Sequence, residues 1–300
     1  MHALINDAPC YISHNFAKDD SVESAGSRYL VVLADDFGMH PAINEGVVRA
    51  FVDGVLTDAD VIACCPRASD ALNLTRQYSI PIGAHVAFTS EWDLYRWGPL
   101  TALKSMTAPD GLLHATVEAA WANADESEAR SEALEQILRL GPNVTHIGEH
   151  MGGDKQGRLE RIMSEISITT GIPHKGQWRS YNRQKCRHYA FRSVFSTSGR
   201  AATTTYSDIK GWLRIKLLAL EPGYHLWVCH PATDSPALER MCTVNWPARP
   251  WAREIRGMDL RLLIDPDLPA WLSEYGIRLT HIASAPVSIS GGPNDPRSAG

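Results

Sequence analysis

The segment at residues 29–41 reads Tyr29-Leu30-Val31-Val32-Leu33-Ala34-Asp35-Asp36-Phe37-Gly38-Met39-His40-Pro41. Its apolar first half predicts a buried β-strand, and its proline predicts the first turn of a helix, where a missing backbone N–H costs nothing. Two adjacent carboxylates, Asp35 and Asp36, therefore lie between a strand and a helix. Because like charges repel more strongly where water is scarce, a bound cation is expected to stabilise the pair.

Apolar runs of strand length alternate with amphipathic segments along the chain, which is typical of a parallel sheet or barrel with helical crossovers. The predicted strands are 29–34, 58–64, 81–87, 144–148, 224–229 and 277–282, with a weaker candidate at 173–178. The predicted helices are 41–53, 67–78, 127–140, 157–170, 207–220 and 257–264. Chains of 300 residues often fold as one α/β barrel, so we expect a TIM-barrel-like (β/α) barrel, complete or incomplete.

The expected domain organisation is a single catalytic domain at 29–284 between two disordered ends, at 1–28 and 285–300. An aromatic-rich insertion after the third strand, between Thr89 and Asn123, is too long for an ordinary connecting loop.

The composition favours small-molecule chemistry. A formal net charge of -5 and a pI near 6.2 give no footprint for nucleic acid or an anionic membrane. Six cysteines without a CxxC pair indicate reduced thiols and hence a cytoplasmic location. No apolar run reaches the roughly 18 residues of a membrane span, and the opening segment lacks the apolar core of a signal peptide. Oligomeric state cannot be read, and a homo-oligomer stays open.

One stretch, residues 175–192, is rich in basic residues, although the chain as a whole carries a net negative charge. We interpret it as a solvated surface loop, the commoner case for clustered charges, with contact to an anionic ligand as the alternative.

Three potential metal ligands lie at predicted strand ends: Asp36, His85 and His150. The carboxyl ends of parallel strands meet at one edge of a sheet, so these side chains can converge although they are far apart in sequence. A lone histidine is more often structural than a ligand. Together with the acid pair, however, the set predicts a divalent-metal site with three protein ligands and an open position.

Four motifs follow one another along the chain: Ala34-Asp35-Asp36-Phe37-Gly38, Gly83-Ala84-His85, Thr145-His146-Ile147-Gly148-Glu149-His150 and His230-Pro231. In combination they resemble the YdjC-like carbohydrate deacetylase family, over roughly residues 29–284. The segments Thr89-Ser90-Glu91-Trp92 and Tyr95-Arg96-Trp97-Gly98-Pro99 resemble an insertion in one bacterial branch of that family.

The resemblance implies a TIM-barrel-like fold and metal-dependent removal of an acetyl group from an amino sugar. Asp36, His85 and His150 match the metal ligands of the family, and Asp35 matches its general base. His230 matches a histidine that we interpret as a proton donor, with a structural histidine as the alternative. The family implies magnesium, while two imidazoles and a carboxylate also suit zinc, so one divalent ion of either kind is expected.

One departure from the family pattern bears on the chemistry. Gly148 stands where the family usually carries an acid two residues before the last histidine, and losing such a carboxylate is expected to weaken ligand orientation. Glu149 is not expected to replace it, because strand alternation turns position 149 away from the face of 148 and 150. Ala34 is a second departure.

Other polar and aromatic residues have two interpretations each. For both acids to reach one site the chain must leave the strand pleat, which we predict at Phe37-Gly38. Alternatively, one acid caps helix 41–53 or pairs with an arginine. Candidate substrate-binding residues, or else the core of the insertion, are Trp92, Tyr95, Arg96 and Trp97. A solvated or salt-bridged face is predicted for Arg253, Arg256 and Asp259.

The function predicted first is metal-dependent N-deacetylation of an amino sugar or sugar conjugate. A metal-dependent phosphoesterase is the alternative within enzymes, although no Gly-rich phosphate cradle accompanies the ligands. A carbohydrate-binding protein with a degenerate active site is the alternative outside enzymes, and Gly148 motivates it.

Overall fold

The computed structural model describes residues 26–175, 191–197, 205–239, 241–243 and 251–285. Most of the predicted disordered ends, 1–28 and 285–300, and of the basic stretch 175–192 lies outside these residues. The described strands are β1 Arg28–Phe37, β2 Asp58–Val61, β3 Ile82–Val86, β4 Val144–Glu149, β5 Phe191–Ser196, β6 Gly223–Cys229 and β7 Ile277–Leu279. The described helices are α1 Pro41–Val52, α2 Ala68–Tyr78, α3 Val117–Trp121, α4 Glu126–Arg139, α5 Arg158–Thr170, α6 Tyr206–Leu218, α7 Pro236–Glu239, α8 Ala252–Leu263 and α9 Asp267–Glu274.

The strands form one parallel sheet in the order β4-β3-β2-β1-β6-β5, which confirms the predicted α/β class. The short strand β7 pairs with the first residues of β1. An isolated parallel bridge between Ile147 and His174 extends the sheet beyond β4, at the weaker strand predicted for 173–178. Within the described residues no pairing joins this side of the sheet to β5, so the sheet is not closed and a TIM-barrel-like arrangement is not confirmed.

Strand β1 runs through the centre of the sheet and is covered on both faces. Leu30, Val32 and Ala34 belong to the main core, and Val31 and Leu33 pack in a second cluster on the other side. Burial on both faces explains why this strand reads as a continuous apolar run. Ile282 and Ala285, from the segment after β7, contribute to the cluster on the second face. The edge at which β1 to β4 and β6 end therefore carries the polar residues that follow them.

Several elements were not predicted. Strand β5 mixes apolar and polar residues, Phe-Arg-Ser-Val-Phe-Ser, and shows no apolar run. Helices α3, α7 and α9 have eight residues or fewer, too few for a clear helical period. Helix α8 begins at Ala252, five residues before the predicted helix 257–264. None of the described helices combines the length and apolar character needed to cross a bilayer.

His281, just after β7, makes a pH-dependent contact with the start of β2. Its Nδ1 lies 3.1 Å from the carbonyl oxygen of Thr57 and 3.5 Å from Oδ2 of Asp58. Burial lowers the pKa of His281, but the bond to Asp58, its charge and the Thr57 carbonyl outweigh burial and raise the pKa. The stabilisation is therefore complete below pH about 6.5 and is lost as the pH rises through the raised folded-state pKa.

We expect His281→Gln to lower the free energy of unfolding by about 1 kcal/mol near pH 6 and by less near pH 9. Denaturant unfolding of both proteins across this range measures the difference. In an Asp58→Asn background, which removes the charge that favours the imidazolium and leaves only the Thr57 carbonyl, the pH dependence of the effect should become much smaller. A His281→Gln effect of equal size at both pH values would contradict the assignment.

Candidate active site

The two adjacent acids reach one site because of a bulge within β1. Ala34 pairs with Ala59 of β2, but the next pair joins Phe37 to Val61, so β1 carries one extra residue. Asp36 has φ +69°, a left-handed conformation that aspartate tolerates better than most residues. The exit predicted at Phe37-Gly38 was thus placed one residue too late, because β1 continues through Phe37 and the departure from the pleat occurs at Asp36.

Neither acid caps helix α1. The N-cap residue is His40, whose Nδ1 accepts a hydrogen bond of 3.1 Å from the backbone N–H of Ala42. The alternative of an aspartate cap is therefore wrong, but the alternative of an acid paired with an arginine is confirmed for Asp36, which pairs with Arg256. This pair lies within the site, so both carboxylates remain part of it.

The structure brings the three predicted metal ligands together. His85 lies in β3 and pairs with Gly148, while His150 follows β4 directly. Oδ1 of Asp36 lies 3.5 Å from Nε2 of His85 and 3.3 Å from Nδ1 of His150. These three potential ligand atoms all lie within 4.8 Å of one another, and all three residues are buried.

The chemistry of these side chains fits a metal ion. Oδ2 of Asp36 accepts a hydrogen bond of 2.6 Å from Arg256, whereas Oδ1 is buried without a hydrogen-bond partner in the described residues. Two nitrogen or oxygen ligands at 2.1 Å from a tetrahedral ion lie about 3.4 Å apart. The observed 3.3 and 3.5 Å fit that separation.

The charged side chains of the site shift the pKa values of one another. Burial raises the pKa of Asp36, but Arg256 and the adjacent imidazoles outweigh it and hold the pKa well below its usual range. Burial lowers the pKa of His150, yet the charge of Glu91 and the contact with Asp36 raise it to about 10. Because an imidazole must be neutral to bind a metal ion, binding at His150 would release a proton.

Two carboxylates behind the imidazoles were not predicted. Oε2 of Glu91 lies 2.9 Å from Nε2 of His150, and Oδ2 of Asp60 lies 3.6 Å from Nδ1 of His85. Each contact engages the ring nitrogen opposite the one that faces Asp36, which is how outer carboxylates orient metal-binding histidines. The sequence does contain a signal for Asp60, because a charged residue inside the predicted strand 58–64 needs a polar partner.

Glu91→Gln is expected to weaken metal affinity about 10- to 100-fold, because the neutral amide no longer orients His150 by charge. Competition with a chromophoric chelator gives the dissociation constants. Glu149→Gln is the matched control, since Glu149 adjoins His150 in sequence but its Oε1 lies 3.2 Å from Nε2 of His174. Equal affinities for the two variants would contradict an orienting role for Glu91.

Asp35 lies beside the cluster and is paired with a lysine. Its Oδ2 is 3.8 Å from Nε2 of His85, and its Oδ1 accepts a hydrogen bond of 2.9 Å from Nζ of Lys175. Burial raises the pKa of Asp35, but the charges of Lys175 and His85 outweigh it and lower the pKa. Lys175 is only 1% exposed, so the solvated loop predicted for 175–192 is wrong at this residue.

His230 follows β6, and the register Ala34–Cys229 places it level with Asp35. Its backbone N–H donates a hydrogen bond of 2.8 Å to Oδ2 of Asp259. Burial lowers the pKa of His230, opposed by the charges of Asp36 and Asp35.

The predicted solvated face on α8 is only partly correct. Arg256 and Asp259 are both 2% exposed and reach the site, through Asp36 and the His230 backbone respectively. Arg253 and Arg256 both match the salt-bridged form of the prediction, through Asp234 and Glu239 for the first and Asp36 for the second, but only Arg253 lies at the surface.

The aromatic insertion packs against the site. Trp92 and Trp97 are buried, and the ring of Trp97 lies 6.0 Å from that of His150. Tyr95 is half-buried against His40. A cavity of about 480 Å³ is lined by Trp92, Asp93, Arg96, Ala108, His114, Ala115, Thr116 and Ala119. Of the four candidate substrate-binding residues, Trp92 and Arg96 line a cavity. Trp92 also belongs to the core together with Trp97, and Tyr95 packs against it.

Fold and site together define a parallel α/β protein with a buried aspartate–histidine centre at the carboxyl ends of its strands. The model of the YdjC-like protein family matches residues 29–274, and the chain belongs to that family. The predicted resemblance is thereby confirmed.

Curated relatives are similar over most of their length. The chain is 27% identical to a carbohydrate deacetylase of Vibrio cholerae over 271 residues, which cover 86% of this chain and 98% of the relative. It is 23% identical to a carbohydrate deacetylase of Thermoanaerobacter pseudethanolicus over 269 residues, covering 85% and 98% respectively. A crystal structure of an Enterococcus faecalis protein with a proposed role in cellobiose-phosphate cleavage shares the fold, with TM-score 0.66, 18% identity, and coverage of 85% of this chain and 97% of that one.

Proposed function

We propose that this protein is a metal-dependent hydrolase that removes an acetyl group from an N-acetylated amino sugar or sugar conjugate. The observation that carries the proposal is the cluster of Asp36, His85 and His150, with a second carboxylate, Asp35, beside it. Membership of the YdjC-like family, whose curated relatives are named carbohydrate deacetylases, supports the same class of substrate.

Asp36, His85 and His150 would hold one divalent ion, zinc or magnesium. The donor set of two imidazoles and a carboxylate suits zinc, and magnesium stays open. When bound, the ion supplies Lewis-acid chemistry, polarising a carbonyl and acidifying a water molecule.

Two residues of the chain would move protons. Asp35, kept ionised by Lys175, accepts a proton from the attacking water molecule while the oxygen of that water forms a bond to the acetyl carbon. His230, on the neighbouring strand end, donates a proton to the nitrogen as the C–N bond breaks. Acetic acid and the free amine leave and ionise in water to acetate and an ammonium group. Asp35 returns its proton to His230 through solvent, so atoms and charge balance and both residues are restored.

The cavity beside the insertion is the proposed place for the sugar. Trp92 and Arg96 line it, and the guanidinium of Arg256, which binds Asp36, lies 5.5 Å from the ring centroid of Trp92. An aromatic ring and a charged side chain at one cavity are typical of sugar recognition. Tyr95 and Trp97 would support this wall of the cavity from the insertion.

We also propose a domain organisation and a cellular location for the enzyme. One catalytic domain spans 29–284, and the sheet is part of an incomplete (β/α) barrel. Free thiols at Cys64, Cys65, Cys229 and Cys242 support a reducing, cytoplasmic setting.

The test combines elemental analysis with a screen for acetate release from N-acetylated mono- and oligosaccharides. We expect about one divalent ion per chain and metal-dependent acetate release from at least one sugar. Hydrolysis of a generic phosphate ester without acetate release would favour the phosphoesterase instead. Sugar binding with no turnover of either substrate would favour a degenerate carbohydrate-binding protein.

A further inference from the structure

A buried lysine lies between two carboxylates at the centre of the site. Nζ of Lys175 is 2.9 Å from Oδ1 of Asp35 and 2.5 Å from Oδ2 of Asp60. The exposed fraction of all three side chains is below 5%. Burying a charged ammonium in this way is stable only where opposite charges and hydrogen bonds replace water, and here two carboxylates do so.

The lysine fits because residue 148 has no side chain. A Cβ atom at Gly148 would lie 2.5 Å from Cε and 3.2 Å from Nζ of Lys175. Carbon atoms that are not bonded do not approach so closely, and Nζ is fixed by both acids, so the lysine could not move aside without losing them. The missing acid at position 148 and the buried lysine at position 175 are therefore two parts of one feature.

The same carboxylates could otherwise bind a metal ion. Asp35, Asp60 and His85 form a second group whose potential ligand atoms lie within 4.8 Å of one another. His85 belongs to both groups, so the two positions adjoin. A neutral imidazole has a single lone pair, so with His85 on the first ion a second ion would be held by the carboxylates of Asp35 and Asp60. The ammonium of Lys175 already contacts both carboxylates of this second group.

We propose that Lys175 serves as a built-in cation in this second position, so that the site accepts a single metal ion, at Asp36, His85 and His150. The inference rests on the proposed function for that first ion. Lys175 also acts as a positioning residue, because its bond to Oδ1 of Asp35 leaves Oδ2 on the side of His85.

Removing the lysine should create a second metal position. In Lys175→Ala two buried carboxylates lose their shared counter-charge, and a divalent ion can replace it. We expect the metal-free protein loaded with Zn²⁺ alone to bind one ion per chain, and the variant to bind two. Zinc should also raise the Tm of the variant by more degrees than that of the unchanged protein.

Lys210→Ala is the matched control. Nζ of Lys210 also bridges two carboxylates, at 2.9 Å from Asp265 and 2.8 Å from Asp267, but Asp267 is largely exposed. Water can solvate these acids once the lysine is gone, so this variant should still bind one zinc ion.

A double-mutant cycle tests the link to Gly148. Gly148→Ala should lower the Tm of the unchanged protein, because its methyl group displaces Lys175, and should lower it much less in the Lys175→Ala background. Equal Tm changes in both backgrounds would overturn the pairing of the two residues.

The outcomes separate the two proposals. One ion in the unchanged protein and one in Lys175→Ala would overturn the role of Lys175 alone, as would two ions in the unchanged protein. No ion in the unchanged protein but one in the variant would support Lys175 and contradict the proposed function. No ion in either would contradict both. Failure of the variant to fold even with zinc present would also overturn the inference, because the ion should replace the lost charge.

Discussion

Asp35→Asn is expected to lower acetate release about 10²- to 10⁴-fold while bound metal stays at its normal level, because the amide cannot accept the proton of the attacking water. The amide is nearly isosteric with the carboxylate, and Lys175 keeps its second partner, Asp60. Turnover of the best N-acetylated sugar and elemental analysis of the same samples measure the two effects.

The neighbouring carboxylate supplies the control for this change. Asp36→Asn is the same chemical substitution one residue further on, and asparagine adopts the left-handed backbone of Asp36 readily. We expect this variant to lose metal together with activity. Metal loss in Asp35→Asn, or full metal content in Asp36→Asn, would contradict the division of roles between the two acids.

His85→Ala and His150→Ala are expected to lose the metal ion itself, and activity with it. Each removes one of the three proposed ligands, and a buried carboxylate with one imidazole is a poor substitute for the full set. Elemental analysis after gel filtration and a chelator competition assay measure the loss. Added zinc at high concentration should restore only part of the activity.

His174→Ala controls for the removal of a buried histidine. His174 is fully buried near the same edge of the sheet, but its Nε2 lies 3.2 Å from Glu149. We expect this variant to keep its metal even if it loses stability. Equal metal contents in the His85, His150 and His174 variants would contradict the ligand assignment.

Much of the fold could be predicted because the central strands are apolar throughout. Strand β1 and helix α1 agree with the predicted 29–34 and 41–53 within a few residues, since burial on both sheet faces and a proline at the helix start are local signals. Strand β5 carries no such signal, and its position beside β6 depends on pairing. Closure into a barrel also depends on pairing between distant segments, which local sequence does not encode.

The convergence of Asp36, His85 and His150 could be predicted because parallel topology alone brings strand ends together. The charged partners could not. Glu91, Lys175 and Arg256 look like surface residues in sequence, and Asp60, although it lies inside a predicted strand, carries no sequence signal for its partner. Each of the four is buried beside an opposite charge from a distant segment. Pairs of this kind are separated by 59 to 220 residues, as in His150 with Glu91 and Arg256 with Asp36.

The left-handed backbone conformation of Asp36 limits which amino acids can occupy this position without strain. Glycine and asparagine fit the torsion angle as well, but neither brings an anionic oxygen. Glutamate and cysteine bind metals in many proteins, yet here each would add backbone strain of order 1–3 kcal/mol. The backbone conformation therefore restricts position 36 to a few residue types, and aspartate is the one among them that also carries an anionic oxygen. The aspartate at this position is thus explained by the bulge in β1 as well as by the proposed metal site.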